Sequence, residues 1–268
     1  MKWLLLRGLG REQRHWHDFP ARLARDLDAS EASTLDLAGA GTEHGRRSYA
    51  SIARLAQDVA ARTLRKAPGE RLGLIGLSLG GMVALDLAAR GRPEIAACVV
   101  INSSSRASTT FARMRPRAAG TIVGMLAPSD ALAREERVLA LTSRLPDGVR
   151  SERARAAAHF ALQRPMSRKS FACQLVAAAR FRPPPAEQMG TPLLFLSSRG
   201  DELVDPRCSA DLARRYAAPH VQHPWAGHDL PLDDPDWVCS QIADWWSKLR
   251  ARCSPLDATP ASVHAPLP

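Results

Sequence analysis

Apolar residues fall in compact blocks along this chain. Residues 3–6, 72–77, 96–101 and 192–197 are short, strongly apolar runs bounded by turn residues. Runs of that length are too short for helices and predict strands buried on both faces. Helix-like patterns occupy residues 19–27, 48–64, 79–89, 207–216 and 235–249. Parallel strands need helical crossovers, and those helices cover both faces of the sheet they connect. The alternation therefore predicts an α/β protein with a mostly parallel central sheet between two helical layers.

Residues 106–182 interrupt that rhythm. They are rich in Arg and Ala, lack a clear strand, and contain helix-compatible runs at 130–145 and 151–163. A helical insertion between two strands would sit as a lid over the strand ends, where loops build a site. The expected organisation is a core formed by 1–105 and 183–252, a helical lid at 106–182, and a disordered tail at 253–268, where Pro255, Pro260, Pro266 and Pro268 stand among small residues.

Charge sharpens the division. The formal net charge is +10, yet residues 106–182 hold 15 Arg and Lys against 5 Asp and Glu, leaving 22 of each sign elsewhere. The whole excess thus lies in the insertion. It offers nucleic acid no accompanying recognition motif. No stretch approaches the ~18 consecutive apolar residues of a membrane span, and the run at 3–6, ended by Arg7, is too short for a signal peptide. Cysteines at 98, 173, 208, 239 and 253 are odd in number and form neither a CxxC pair nor a metal-ligand cluster. They point to a reducing, cytoplasmic setting and to no metal or other cofactor.

One motif carries chemistry. Gly76, Leu77, Ser78, Leu79 and Gly80 form GxSxG directly between an apolar strand and a helix. A serine on so sharp a turn is held in strained backbone geometry, and small flanking residues leave room for it. The helix that follows would aim its N–H groups and positive dipole end at the reacting centre. A serine hydroxyl needs a base, and the base needs an orienting carboxylate. Among eight histidines, His228 lies in a Gly-containing turn between the run 220–225 and the last helix. His220 and His223 read as structural, and His15 and His17 as braces of the first loop. Asp201 follows the strand at 192–197 within a turn, with Glu202 and Asp205 as adjacent rivals. The order Ser78, Asp201, His228 is the one this arrangement requires. An oxyanion site needs two main-chain donors, for which Leu79, after the serine, and Leu9, in the turn after the first strand, are the candidates.

These segments resemble the α/β-hydrolase superfamily and, within it, small lid-bearing bacterial carboxylesterases. The resemblance runs through RGLGRE, GLSLGG, SSRGDELVDP and WAGHDLPLDDP, on both sides of the insertion. It implies Ser78 as nucleophile, Asp201 as acid, His228 as base, Leu9 and Leu79 as oxyanion donors, and ester hydrolysis without a cofactor. Many relatives carry His-Gly after the first strand, where this chain has Arg7 and Gly8. The chain also looks like the esterases that remove a methyl group from a pimeloyl chain on acyl carrier protein in biotin synthesis. That likeness implies an acidic carrier as partner for the basic segment, which includes Arg113, Arg115, Arg117, Arg134, Arg137, Arg153, Arg155, Arg168 and Lys169. Met114, Met125, Leu126, Phe160 and Phe171 are candidates to shape the pocket. Fold and motif leave carbon–carbon hydrolysis, lactone opening, aminopeptidase or cofactor-free peroxidase chemistry, and a non-catalytic ligand receptor, as alternatives.

Overall fold

The computed structural model describes residues 1–27, 29, 31–63, 70–127 and 129–252. Its frame is one six-stranded sheet in the order β2-β1-β3-β4-β5-β6, parallel throughout. The strands are β1 (Lys2–Leu6), β2 (Glu31–Leu35), β3 (Leu72–Leu77), β4 (Ile95–Ile101), β5 (Leu193–Ser198) and β6 (His220–His223). Helices α1 (Phe19–Asp26), α2 (Ile52–Thr63) and α3 (Leu79–Ala88) link the first four strands. Helices α4 (Thr110–Arg113), α5 (Pro116–Gly124), α6 (Ala131–Thr142), α7 (Asp147–Gln163) and α8 (Arg168–Arg180) intervene between β4 and β5. Helix α9 (Arg207–Arg215) joins β5 to β6, and α10 (Leu230–Asp233) and α11 (Pro235–Arg252) follow.

The two-residue period of a strand sorts the apolar runs into two cores. Leu4, Leu6, Leu74, Cys98, Val100 and Phe195 face α2, α3 and α9, whereas Trp3, Leu5, Ile75, Val99, Leu194 and Leu196 face α1 and α11. Burial on both sides is why these strands read as continuous apolar blocks. A smaller third cluster, built on Ala118, Ile122, Leu141 and Phe171, holds the inserted helices together.

Strand β2 was not expected from the sequence, and its position explains why. It is the edge strand, and none of its five residues is fully buried. The helix expected from residue 48 begins at Ile52, because Ser48 is buried and its N–H donates to Ser170 Oγ on α8 at 3.2 Å. Residue 64 of that expected helix and the expected tail at 253–268 lie outside the described residues. Among the described residues no helix is long and apolar enough to cross a membrane.

Candidate active site

The loops leaving the carboxyl ends of the strands meet around a cavity of about 360 Å³. Ser78 enters it from the turn between β3 and α3 with φ 56° and ψ −116°, a conformation L residues rarely adopt. The neighbours make the turn feasible. A methyl group on Gly76 would lie 2.5 Å from Gly81 Cα, and one on Gly80 would lie 2.7 Å from the Arg7 carbonyl oxygen. Glycine at both places lets α3 start against the end of β1. Two bonds pin the turn: Ser78 N–H donates to the Ile101 carbonyl at 2.8 Å, and Ser103 Oγ donates to the Ser78 carbonyl at 2.8 Å.

His228 lines the same cavity as Ser78. Its Nδ1 is 2.7 Å from Asp201 Oδ2, and both residues are buried. The other Asp201 oxygen accepts the N–H groups of Leu203 and Val204 at 2.8 and 2.9 Å, so the carboxylate is fixed on both sides. The rivals are occupied elsewhere. Glu202 pairs with Arg144 at 2.8 Å, and Asp205 pairs with Arg207 at 2.8 Å. Binding at Nδ1 leaves Nε2 as the ring nitrogen for other work. Leu9 and Leu79 both line the cavity, and among the described residues neither N–H meets another acceptor. A methyl group on Gly8 would stand 3.3 Å from Ser78 Cβ, so the loop of Leu9 passes directly over the serine.

Further residues build this site and were missed in the sequence. Asn102, at the end of β4 with φ 45°, donates through Nδ2 to the carbonyl of His228 at 2.8 Å and to Ser198 Oγ at 3.0 Å. Its Oδ1 accepts Ser198 N–H at 2.9 Å. One buried amide thus ties the ends of β4 and β5 to the His228 loop. Asn tolerates left-handed backbone better than most residues, so an Asn just past an apolar strand was the available signal. Asp233 accepts Gly227 N–H at 2.7 Å and Ser143 Oγ–H at 2.6 Å, joining the loop to the end of α6.

Arg7, at the position where the resemblance implies a His, has a partner of its own. Arg7 donates to Asp229, the residue after His228, through Nη1 at 3.0 Å and Nη2 at 2.5 Å, and its guanidinium lies 4.7 Å from the Trp16 ring centre. This buried pair joins the loop after β1 to the loop after β6. Burial raises the Asp229 pKa, but the charge and hydrogen bonds of Arg7 outweigh it and hold the carboxyl below the usual value. Burial, and then Arg153, push His17 down to about 4. A neutral His17 can accept the bond from Arg153 at 3.4 Å.

The remaining wall is mainly apolar and comes largely from the insertion: Met114, Ile122, Met125, Val138 and Leu175. Of the five residues expected to shape the pocket, Met114 and Met125 do so. Leu126 and Phe171 pack in the insertion's own cluster instead, and Phe160 packs against His15 and Arg14. The arginines of the basic segment, named as a site for an acidic carrier, divide. Arg113 lines the cavity, Arg115 and Arg134 approach Asp205 and Glu135, and Arg117, Arg137, Arg155, Arg168 and Lys169 are exposed.

A parallel sheet covered by helices, with a serine on a strained strand-to-helix turn and a His–Asp pair at neighbouring strand ends, defines the α/β-hydrolase class. The chain belongs to the family described as serine aminopeptidase, S33, which matches residues 5–229. No curated protein sequence matches it. Solved structures with the same fold include an enol-lactonase from Burkholderia xenovorans LB400, at 20% identity and TM-score 0.74, covering 92% of this chain and 91% of that one. An esterase from Rhodococcus sp. ECU1013 shares 19% identity at TM-score 0.75, covering 93% and 91%. A thermophilic esterase from Thermogutta terrifontis shares 20% identity at TM-score 0.69, covering 93% and 90%.

Proposed function

We propose that this hydrolase-family protein cleaves carboxylic esters through an acyl-enzyme, with Ser78 as nucleophile, His228 as base and Asp201 as the group that orients it. The observation that carries the reading is the buried His228–Asp201 bond of 2.7 Å beside a cavity that Ser78 enters from a strained turn. His228 Nε2 takes the hydroxyl proton as Ser78 Oγ attacks the carbonyl carbon. Asp201 fixes the tautomer and stabilises the imidazolium. The N–H groups of Leu9 and Leu79 receive the developing oxyanion. His228 then returns the proton to the departing alkoxide, and water repeats the cycle on the acyl-Ser78 ester. Helices α5, α6 and α8 act as a lid whose apolar side chains hold the acyl chain.

The family description raises peptide hydrolysis, and the cavity argues against its aminopeptidase form. Such an enzyme must hold the ammonium of a free N-terminus. Among the described residues the lining contains three arginines and one carboxylate, Asp229, already clamped by Arg7. A narrower ester reading, a methyl ester of an acyl chain on acidic acyl carrier protein, draws support from the exposed arginines of the insertion.

Rapid mixing with a p-nitrophenyl ester tests the main reading. A burst of nitrophenol equal to the enzyme concentration, with the acyl mass on the intact protein, is expected; turnover that persists at the wild-type rate in Ser78→Ala contradicts it. For the narrower reading, carrier-linked methyl esters should turn over faster than free ones at low salt. Equal rates would remove that substrate.

A further inference from the structure

Two of the three arginines that line the cavity are neutralised within the protein. Arg7 is paired with Asp229, and Arg11 with buried Glu135. Arg113 is different. Among the described residues no carboxylate lies within ion-pair distance of it. Its Nη1 and Nη2 donate to the carbonyls of Ala179 and Ala178 at 3.0 and 2.6 Å, and its Nε is buried without a partner. Those carbonyls end helix α8, where a cation meets the negative end of the helix dipole. The contact anchors the guanidinium but uses only two of its five N–H groups. Burial also pushes the Arg113 pKa down, the direction expected for a cation short of a counter-charge.

We propose that Arg113 receives a carboxylate carried by the substrate, so that the cavity selects esters with one anionic end. The proposal rests on the serine-hydrolase reading and deepens it by naming a substrate class. With Nε enclosed, the N–H groups that Nη1 and Nη2 do not spend on α8 are the ones left to donate charge-assisted bonds to a carboxylate. Among the described residues the mainly apolar lining holds one arginine without a carboxylate partner, which suits a monoanion better than a phosphate dianion. The other two guanidinium groups of the lining, on Arg7 and Arg11, are already committed to carboxylates. A carrier-linked methyl ester differs in that its charge stays on the carrier, outside the cavity, where the exposed arginines and not Arg113 would govern selectivity.

The test uses the full chain at low ionic strength and esters of one length ending in carboxylate, carboxamide or methyl, with the ending placed on the acyl side in one set and the alcohol side in another. Charge-assisted bonds of this kind are worth about tenfold or more in affinity. The carboxylate should therefore be preferred over the carboxamide by about that factor on one of the two sides, chiefly through KM. Arg113→Gln should abolish the preference and Arg113→Lys retain part of it. Wild-type enzyme that treats the two endings alike in both sets overturns the proposal. So does Arg113→Gln that slows every ester equally and keeps the ratio, since the residue then only caps α8. Failure of the hydrolase reading looks different, as no ester is cleaved. Calorimetry with hexanoate, a monoanion on an apolar chain, then decides separately, with binding to wild type that Arg113→Gln loses as the supporting result and no binding to wild type as the contrary one.

Discussion

The His228 loop and the first two inserted helices border the same cavity but are held by opposite physics. Around His228 nearly every polar group is fixed: Asn102 holds its carbonyl, Asp201 its ring, Asp233 the preceding N–H, and Arg7 the following carboxylate. Helices α4 and α5 and the residues that end them present Met114, Ile122 and Met125 to the cavity, while Phe111 and Val123 on their outer side are 75% and 57% exposed. Directional bonds fix atoms to a fraction of an ångström, as proton transfer needs. Apolar contacts are non-directional and permit repacking, which suits a wall that must accept a chain. Under the proposed function, the contrast assigns chemistry to the loop and selectivity to the helices.

Substitutions sharpen that contrast in descending order of effect. Ser78→Ala should lower ester turnover by about 10⁴-fold or more, with the melting curve little changed. Asp229→Asn leaves Arg7 as a buried uncompensated cation. It should destabilise by about 3–5 kcal/mol in urea unfolding and cut kcat more than it raises KM. The same pair makes a pH prediction. Because the folded pKa of Asp229 lies below its unfolded value, its contribution is present above the ordinary carboxylate range and is lost as pH falls through the lowered value. In Asp229→Asn that part of the acid loss of stability should disappear.

Asn102→Ala strands the His228 carbonyl and the Ser198 amide, and about 2–4 kcal/mol should be lost, with kcat falling as the His228 loop loosens. In the helices the pattern should invert. Ile122→Ala should change the preferred acyl length through KM while kcat on short esters holds, at a stability cost of about 2 kcal/mol. Phe111→Ser, on the exposed outer side, should stay within about 0.5 kcal/mol of wild type. An Ile122 variant that lost kcat as severely as an Asp229 variant would dissolve the distinction between the two regions.

The sequence revealed what is written in contiguous residues. The four apolar blocks emerged as β1, β3, β4 and β5 because they are buried on both faces. Ser78, Asp201 and His228 stood out because each follows a strand within a turn. Strand β2 stayed hidden because the sheet edge imposes no apolar block. Asn102 and the Arg7–Asp229 pair stayed hidden for another reason: their meaning lies in partners 126 and 222 residues away. Sequence spacing records periodicity well, but it holds no trace of which buried arginine meets which carboxylate. The division of the cationic side chains into paired, cavity-lining and exposed groups is likewise a product of packing, as the fate of Arg113 against that of Arg117 shows.

Whether His228 and Asp201 activate Ser78 is read out by fluorophosphonate labelling mapped by peptide mass spectrometry, because the reagent needs a serine activated by its surroundings. One modified residue, Ser78, is expected, with labelling abolished in His228→Gln and strongly slowed in Asp201→Asn. A wild-type protein that stays unlabelled, or one labelled equally fast without His228, would contradict it.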